Sequence, residues 1–321
     1  MTEKGLAFFC PGQGAQAVGM GVELAREFPA ARRVFAEADD ALGFSISALC
    51  ADGPADKLML TENAQPALLT VSAAIGRVLD EEAGLRPTIA AGHSLGEWSA
   101  LVLAGVLDFA AAVLAVRQRG LFMREAMAPG EGAMTALLGI DQETAEELCA
   151  AASLGPQSLV VPANLNGGRQ IVVAGHIAAL ERVEAAAAGQ KIRASRLQVS
   201  QPFHSPLMAP ARARLEEVLG ELSFHASNIA VVSNVAGCAV RDAARWRVLL
   251  AEQVTSPVRW EECALVVASE APRAIEVGPG RVLGGLMRRI QRGYPCQPTG
   301  DLAGIAKVIE EFQSAGKGAS A

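Results

Sequence analysis

Apolar positions along this chain fall into two rhythms. Short apolar runs bounded by glycine, proline, asparagine or serine predict strands. They are Gly5 to Cys10, Thr88 to Ala91, Met134 to Gly139, Leu159 to Leu165, Gln170 to Ala174, Ile192 to Val199, Ile229 to Ser233 and Ala274 to Val277. Between them, apolar residues recur at helical spacing. That predicts helices over Val22 to Leu42 (restarting at Pro29), Pro66 to Glu82, Glu97 to about Ala104 and Phe109 to about Met127. Others are expected over Gln142 to Ala152, Ile177 to Ala188, Ala243 to Val254, Trp260 to Ser269 and Arg281 to Arg292. Pro66 suits a first helical position and Asp108 an N-cap, while the tail from Gly316 reads as disordered.

The order of elements changes near Ala133. From there to Val199 the chain reads β-α-β-β-α-β, a split βαβ or ferredoxin-like unit. Glycines near 130 and Gln201-Pro202 mark its joints. Residues 131–199 are therefore expected to form a small subdomain inserted into a larger α/β body made of residues 1–130 and 200–321.

Composition narrows the class. Of 321 residues, 51% are apolar and only 4% aromatic, which suits close-packed helices and strands. A net charge of −6 with no basic stretch argues against nucleic acid as a partner. The six cysteines show no C-x-x-C pair, so structural zinc and a disulfide framework are not expected and a reducing cytoplasm fits. No secretory signal is read in Met1 to Gly5. Ser99 to Val116 is apolar enough to raise a membrane span, but Asp108 after Gly105 divides it into two buried helices.

The chemistry gathers at Gly92-His93-Ser94-Leu95-Gly96, which fits a G-x-S-x-G nucleophile elbow between a strand and a helix. The helix N-terminus aims free N–H groups and a positive dipole end at the place where an oxyanion would form. A serine needs a base, and the chain has four histidines. His93 is constrained inside the elbow, His176 starts a helix, and His225 sits in a polar connection. His204, held between Pro202 and Pro206, ranks first. No acidic residue stands in a marked motif as the third member of a triad. Arg117, Arg119 and Arg124 share one helix, with Arg117 and Arg124 able to share a face and Arg119 on another. Spacing alone does not say which of them, if any, grips a substrate carboxylate. Gly12-x-Gly14 and Gly278-x-Gly280 match a dinucleotide loop poorly.

Several motifs in this order resemble malonyl-CoA:acyl-carrier-protein transacylases and the related acyltransferases of polyketide synthases. They are Pro11 to Gln16, Ala64 to Leu68, Gly92 to Glu97, and Arg119-Gly120-x-x-Met123. Further on come Asn164-x-Asn166 with Gln170 to Gly175, Phe203-His204-Ser205, Ser256-Pro257-Val258-x-Trp260, and Glu276 to Gly280. The resemblance implies a hydrolase-like parallel-sheet body carrying the ferredoxin-like insert. It implies a Ser94–His204 dyad, an oxyanion hole from the N–H groups of Gln13 and Leu95, and a backbone carbonyl, that of Gln253, orienting the histidine. Arg119 would bind the malonyl carboxylate, with His93, Met123 and Phe203 beside it in the substrate pocket. Phe203 matches the form of malonyl-selective polyketide acyltransferases, whereas many fatty-acid enzymes have serine there. The implied reaction moves malonyl from coenzyme A to the phosphopantetheine thiol of an acyl carrier protein, for fatty acid or polyketide synthesis, with no tightly bound cofactor. The rival of another class is a serine esterase or thioesterase, which would place its histidine later and add an Asp or Glu.

Overall fold

The computed structural model describes residues 5–318. Strand β1 (Leu6–Cys10) is buried along its whole length. Leu6, Phe8 and Cys10 face one core and Ala7 and Phe9 another, the strict alternation of a strand covered on both sides. Five helices follow: α1 (Val22–Glu27), α2 (Pro29–Leu42), α3 (Ile46–Asp52), α4 (Ala55–Met59) and α5 (Thr61–Ala83). Strand β2 (Ile89–Gly92) then pairs parallel with β1, and α6 (Leu95–Leu103) and α7 (Phe109–Glu125) pack after it.

The inserted unit comprises β3 (Gly132–Leu138), α8 (Gln142–Ala152), β4 (Val160–Leu165), β5 (Gln170–His176), α9 (Ile177–Gly189) and β6 (Arg193–Arg196). Its antiparallel sheet runs β4-β5-β3-β6, the ferredoxin-like order. The chain then returns through α10 (Ala209–Glu221), β7 (Ala230–Val232), β8 (Ala239–Val240), α11 (Trp246–Gln253) and α12 (Trp260–Glu270). It closes with β9 (Arg273–Glu276), α13 (Val282–Ile290), β10 (Cys296–Pro298) and α14 (Leu302–Gly318). The body sheet runs β10-β9-β1-β2-β7-β8 and is parallel except for β8. The two sheets are stitched together. Leu165 N–H donates to the Val258 carbonyl and Val258 N–H to the Ala163 carbonyl, both at 2.9 Å.

Several expectations need correcting. Pro66 lies inside α5, not at its start. A proline there leaves the Glu62 carbonyl without its helical partner, and Arg117 Nη1 donates to that oxygen at 2.7 Å. The last strand of the insert spans only Arg193–Arg196, because β6 is an edge strand paired with β3 alone. Helices α3, α4, α10 and α14 and strands β8 and β10 had not been expected. The helix from Ala243 begins as a 3₁₀ turn before α11. The tail expected to be disordered from Gly316 is helical through Gly318. Residues 319–321, and Met1 to Lys4 where a signal was sought, lie outside the described residues. Asp108 does sit at the N-cap of α7, but its side chain meets His225 Nε2 instead of capping. No helix among the described residues is long and apolar enough to cross a membrane.

Candidate active site

Ser94 sits at the hinge between β2 and α6 with φ 53° and ψ −108°. Only small neighbours permit so sharp a turn. A Cβ on Gly92 would lie 1.9 Å from the Gly96 backbone, and one on Gly96 would lie 1.9 Å from the Cys10 carbonyl oxygen. Asn234, just past β7, grips the elbow from below. Its Oδ1 accepts the Ser94 N–H at 2.8 Å, and its Nδ2 donates to the Gly92 carbonyl at 2.8 Å.

His204 comes from the loop after the insert, also in a left-handed conformation at φ 60°. Its Nε2 lies 2.7 Å from Ser94 Oγ. Its Nδ1 lies 2.8 Å from the Gln253 main-chain oxygen. A carbonyl can only accept, so Nδ1 carries the proton and Nε2 is free to accept the serine hydroxyl proton. Burial, with Arg119 adding to it, pushes the imidazole down to about 3, against the opposing pull of the Gln253 carbonyl. The ring is therefore neutral near neutral pH, the form a general base needs.

Arg119 is 1% exposed, on the face of α7 that looks into the site. Its Nη2 donates to Ser94 Oγ at 3.2 Å and to Gln253 Oε1 at 2.9 Å, and its Nη1 donates to Gln65 Oε1 at 2.7 Å. Burial draws the guanidinium down to about 10, with Glu97 opposing the shift, so it stays charged. Among the described residues its Nε finds no hydrogen-bond partner. Arg117 and Arg124 are turned elsewhere. Arg117 reaches the Glu62 carbonyl and Asn63 Oδ1, and Arg124 pairs with the Glu62 carboxylate. The structure thus separates three arginines that spacing alone could not.

Gln13, in the loop after β1, and Leu95, the first residue of α6, flank the serine. Gly12 lets the loop after β1 press against the elbow, since a Cβ there would meet the His93 carbonyl oxygen at 2.4 Å. Among the described residues, no hydrogen-bond acceptor meets the N–H of Gln13 or of Leu95. His93 points away from the serine hydroxyl, its Nε2 2.8 Å from Asn166 Oδ1 on the insert. Gln13, His93, Ser94, Leu95, Arg119, Met123, Phe203 and His204 all line one cavity of about 330 Å³ between the two sheets. A larger hollow of about 410 Å³ between α1, α2 and α3 gathers no comparable set of reactive groups. His176 accepts the Leu159 N–H, and His225 meets Asp108 at the surface, so neither reaches the site.

Sequence reading missed three residues. Glu97, fully buried, accepts the Asn234 N–H at 2.6 Å and the Gln253 Nε2–H at 2.5 Å. Its carboxyl is raised to about 8, burial outweighing those donors and Arg119. Asn234 and Gln65 complete the polar floor. Their signals were Glu97's place at the end of the elbow motif, Gln65's place in the Ala64 to Leu68 motif and Asn234's place at a strand end. No group of three or more His, Cys, Asp or Glu among the described residues is arranged to hold a metal ion.

Residues 7–295 match the family described as the acyl transferase domain. The chain is 45% identical over 308 residues to the malonyl CoA-acyl carrier protein transacylase of Salmonella typhimurium, covering 95% of this chain and 99% of that protein. It superposes on the malonyl CoA-acyl carrier protein transacylase of Coxiella burnetii with a TM-score of 0.93 at 38% identity, covering 96% and 98% of the two chains. A type II PKS acyl-carrier protein in complex with its malonyl-transacylase matches with a TM-score of 0.92 at 40% identity, covering 96% and 99%.

Proposed function

The chain belongs to the acyl transferase family, and from that premise we propose how its own residues work: Ser94 is the nucleophile, His204 the base and Arg119 the acyl-group anchor. The enzyme is a malonyl-CoA:acyl-carrier-protein S-malonyltransferase. The observation that carries the assignment of Arg119 is a buried, charged guanidinium one hydrogen bond from the nucleophile, 3.2 Å from Ser94 Oγ. A malonyl carboxylate is one methylene from the thioester carbonyl, so a group holding the first presents the second to Ser94.

Two half-reactions follow. His204 Nε2 takes the Ser94 proton as Oγ attacks the malonyl thioester carbonyl, and the N–H groups of Gln13 and Leu95 hold the oxyanion. Collapse breaks the C–S bond, and the proton on His204 goes to the departing coenzyme A thiolate. The phosphopantetheine thiol of the carrier protein then gives its proton to His204 and attacks the malonyl ester. The second collapse returns the proton to Ser94 Oγ. The Gln253 carbonyl holds the Nδ1 proton throughout, in the place where an esterase triad has a carboxylate. His93, Met123 and Phe203 shape the acyl pocket, Phe203 crowding any substituent on the malonyl α-carbon.

The proposal extends to context. Nucleophile, base and oxyanion donors are all protein groups, so the reaction needs no tightly bound cofactor beyond its malonyl-CoA substrate. All six cysteines are unpaired, which suits a reducing cytoplasm. Residues 1–130 with 200–321 act as the catalytic body and 131–199 as the small subdomain. Fatty acid synthesis is the assigned pathway.

Brief incubation with malonyl-CoA should add one malonyl group to the intact protein by mass spectrometry. Ser94→Ala should abolish the adduct. An adduct that survives in Ser94→Ala, or maps to a cysteine, would overturn the assignment.

A further inference from the structure

Glu97 stands three residues past the nucleophile, wholly buried, and its carboxylate makes no hydrogen bond to Ser94 Oγ, His204 or Arg119. Its contacts nonetheless lead to the acyl anchor. Oε2 accepts from Gln253 Nε2 at 2.5 Å, and the same Nε2 donates to the Ser94 carbonyl at 3.0 Å. With its amine end tied down, Gln253 turns Oε1 toward Arg119 Nη2, 2.9 Å away.

A side-chain amide has one accepting end and one donating end, whereas a guanidinium only donates. Turned round, the Gln253 amide would set its NH₂ against Arg119 and free Nη2 from its anchor. Above its ionisation at about 8 the Glu97 carboxylate only accepts, so there it tolerates one orientation of that amide and rejects the other. We propose that Glu97 is a positioning residue for acyl selectivity: by accepting the Gln253 amide N–H it keeps the oxygen end on Arg119, and so holds the guanidinium beside Ser94 for the substrate carboxylate. This rests on the reading above that Arg119 receives that carboxylate.

The relay is separate from the catalytic base. His204 is oriented by the main-chain oxygen of Gln253, at the end of α11, which does not move when the side-chain amide turns. Loss of Glu97 should therefore impair choice of substrate rather than acyl transfer in general. It is also separate from the support of the elbow. In Glu97→Gln the new amide oxygen still accepts the Asn234 N–H, while its NH₂ faces the Gln253 NH₂, donor against donor. The variant keeps the structural contact and cuts the relay.

The test compares kcat/KM for malonyl-CoA and acetyl-CoA at about pH 8.5, above the Glu97 ionisation at about 8. In Glu97→Gln the malonyl value should fall about 10- to 100-fold, the effect of one charge-assisted hydrogen bond, with the acetyl value within about threefold of wild type. Equal loss for both substrates, or no loss for malonyl, would overturn the proposal. Should Glu97→Gln not fold, the wild-type protein keeps the test: its malonyl-to-acetyl ratio of kcat/KM must rise between about pH 7 and 9 as Glu97 ionises at about 8. A flat ratio across that range overturns the proposal equally. Arg119→Ala run alongside separates the two ideas. If it loses both substrates equally, the reading of Arg119 fails; if it loses malonyl selectively while Glu97→Gln does not, only the relay fails.

Discussion

At the scale of single residues, Arg119 answers two demands at once. A guanidinium taken out of water needs acceptors, and Gln65, Gln253 and Ser94 supply three. In the proposed reaction the substrate carboxylate is the anion that this buried charge receives. Removing a desolvated charged partner costs roughly 2–5 kcal/mol, so Arg119→Ala should nearly abolish malonyl transfer. Acetyl-CoA, which has no carboxylate, should be spared or gain. Arg119→Lys should recover only part, because an ammonium does not fork onto two oxygens. The check is kcat/KM for both substrates across Ala variants of Arg117, Arg119 and Arg124. A selective loss in Arg117→Ala would mean that the wrong arginine had been chosen. Ser94, His204 and Arg119 were legible because each sits in a short local motif. Glu97 and Asn234 were not, since their partners lie 137 to 156 residues away in the chain and only folding brings them together. The residues alone marked no acid as the third member of a triad with His204, because the group in that place is a main-chain oxygen with no side-chain signature.

At the scale of elements, α5 and α7 show how a broken rule is mended. Helix α5 contains Pro66 and so leaves the Glu62 carbonyl unpaired, and α7 crosses beside it with Arg117 donating to that oxygen. Proline chemistry alone argued for a helix start, and local reading could not foresee a donor from 55 residues away. Arg117→Met keeps most of the stem and removes the donor. It should lower unfolding stability by about 1–3 kcal/mol, the cost of a charged donor and a stranded carbonyl. The malonyl-to-acetyl preference should stay at the wild-type value, because Arg117 does not face the site. Chemical denaturation with both assays would check this, and a changed preference would show that the two arginines act together. The longer periodic segments were legible: Gln142–Ala152 forms with the limits expected. Helices α10 and α14 escaped notice, as did the edge strands β8 and β10, whose few residues are defined by their neighbours more than by any pattern of their own.

At the scale of the whole molecule, the site is a seam between two sheets. Ser94, the proposed nucleophile, stands on the body, His204, the proposed base, on the chain leaving the insert, and His93 reaches across to Asn166. Burying Glu97 and His204 in that seam leaves opposite marks on stability. Glu97 ionises at about 8 when folded, above the ordinary 4.5, so the folded protein holds an extra proton and stability falls as pH rises through that window. His204 is held at about 3, below the ordinary 6.5, so its contribution runs the other way and stability rises with pH up to about 6.5. His93, lowered by burial, adds to that rise. The buried thiols of Cys10 and Cys50 are raised by burial from an ordinary 9.0, so they act above both windows. Between pH 4.5 and 6.5 the carboxyl and the imidazoles oppose each other. Between 6.5 and 8 the Glu97 contribution stands without them. There the wild-type protein should lose stability at up to about 1.4 kcal/mol per pH unit, the linkage slope of one proton. Glu97→Gln, with nothing to titrate at that position, should lose this component of the slope whatever its absolute stability. Urea unfolding at several pH values across that range would measure both, and equal slopes would mean that Glu97 enters the fold without holding its proton.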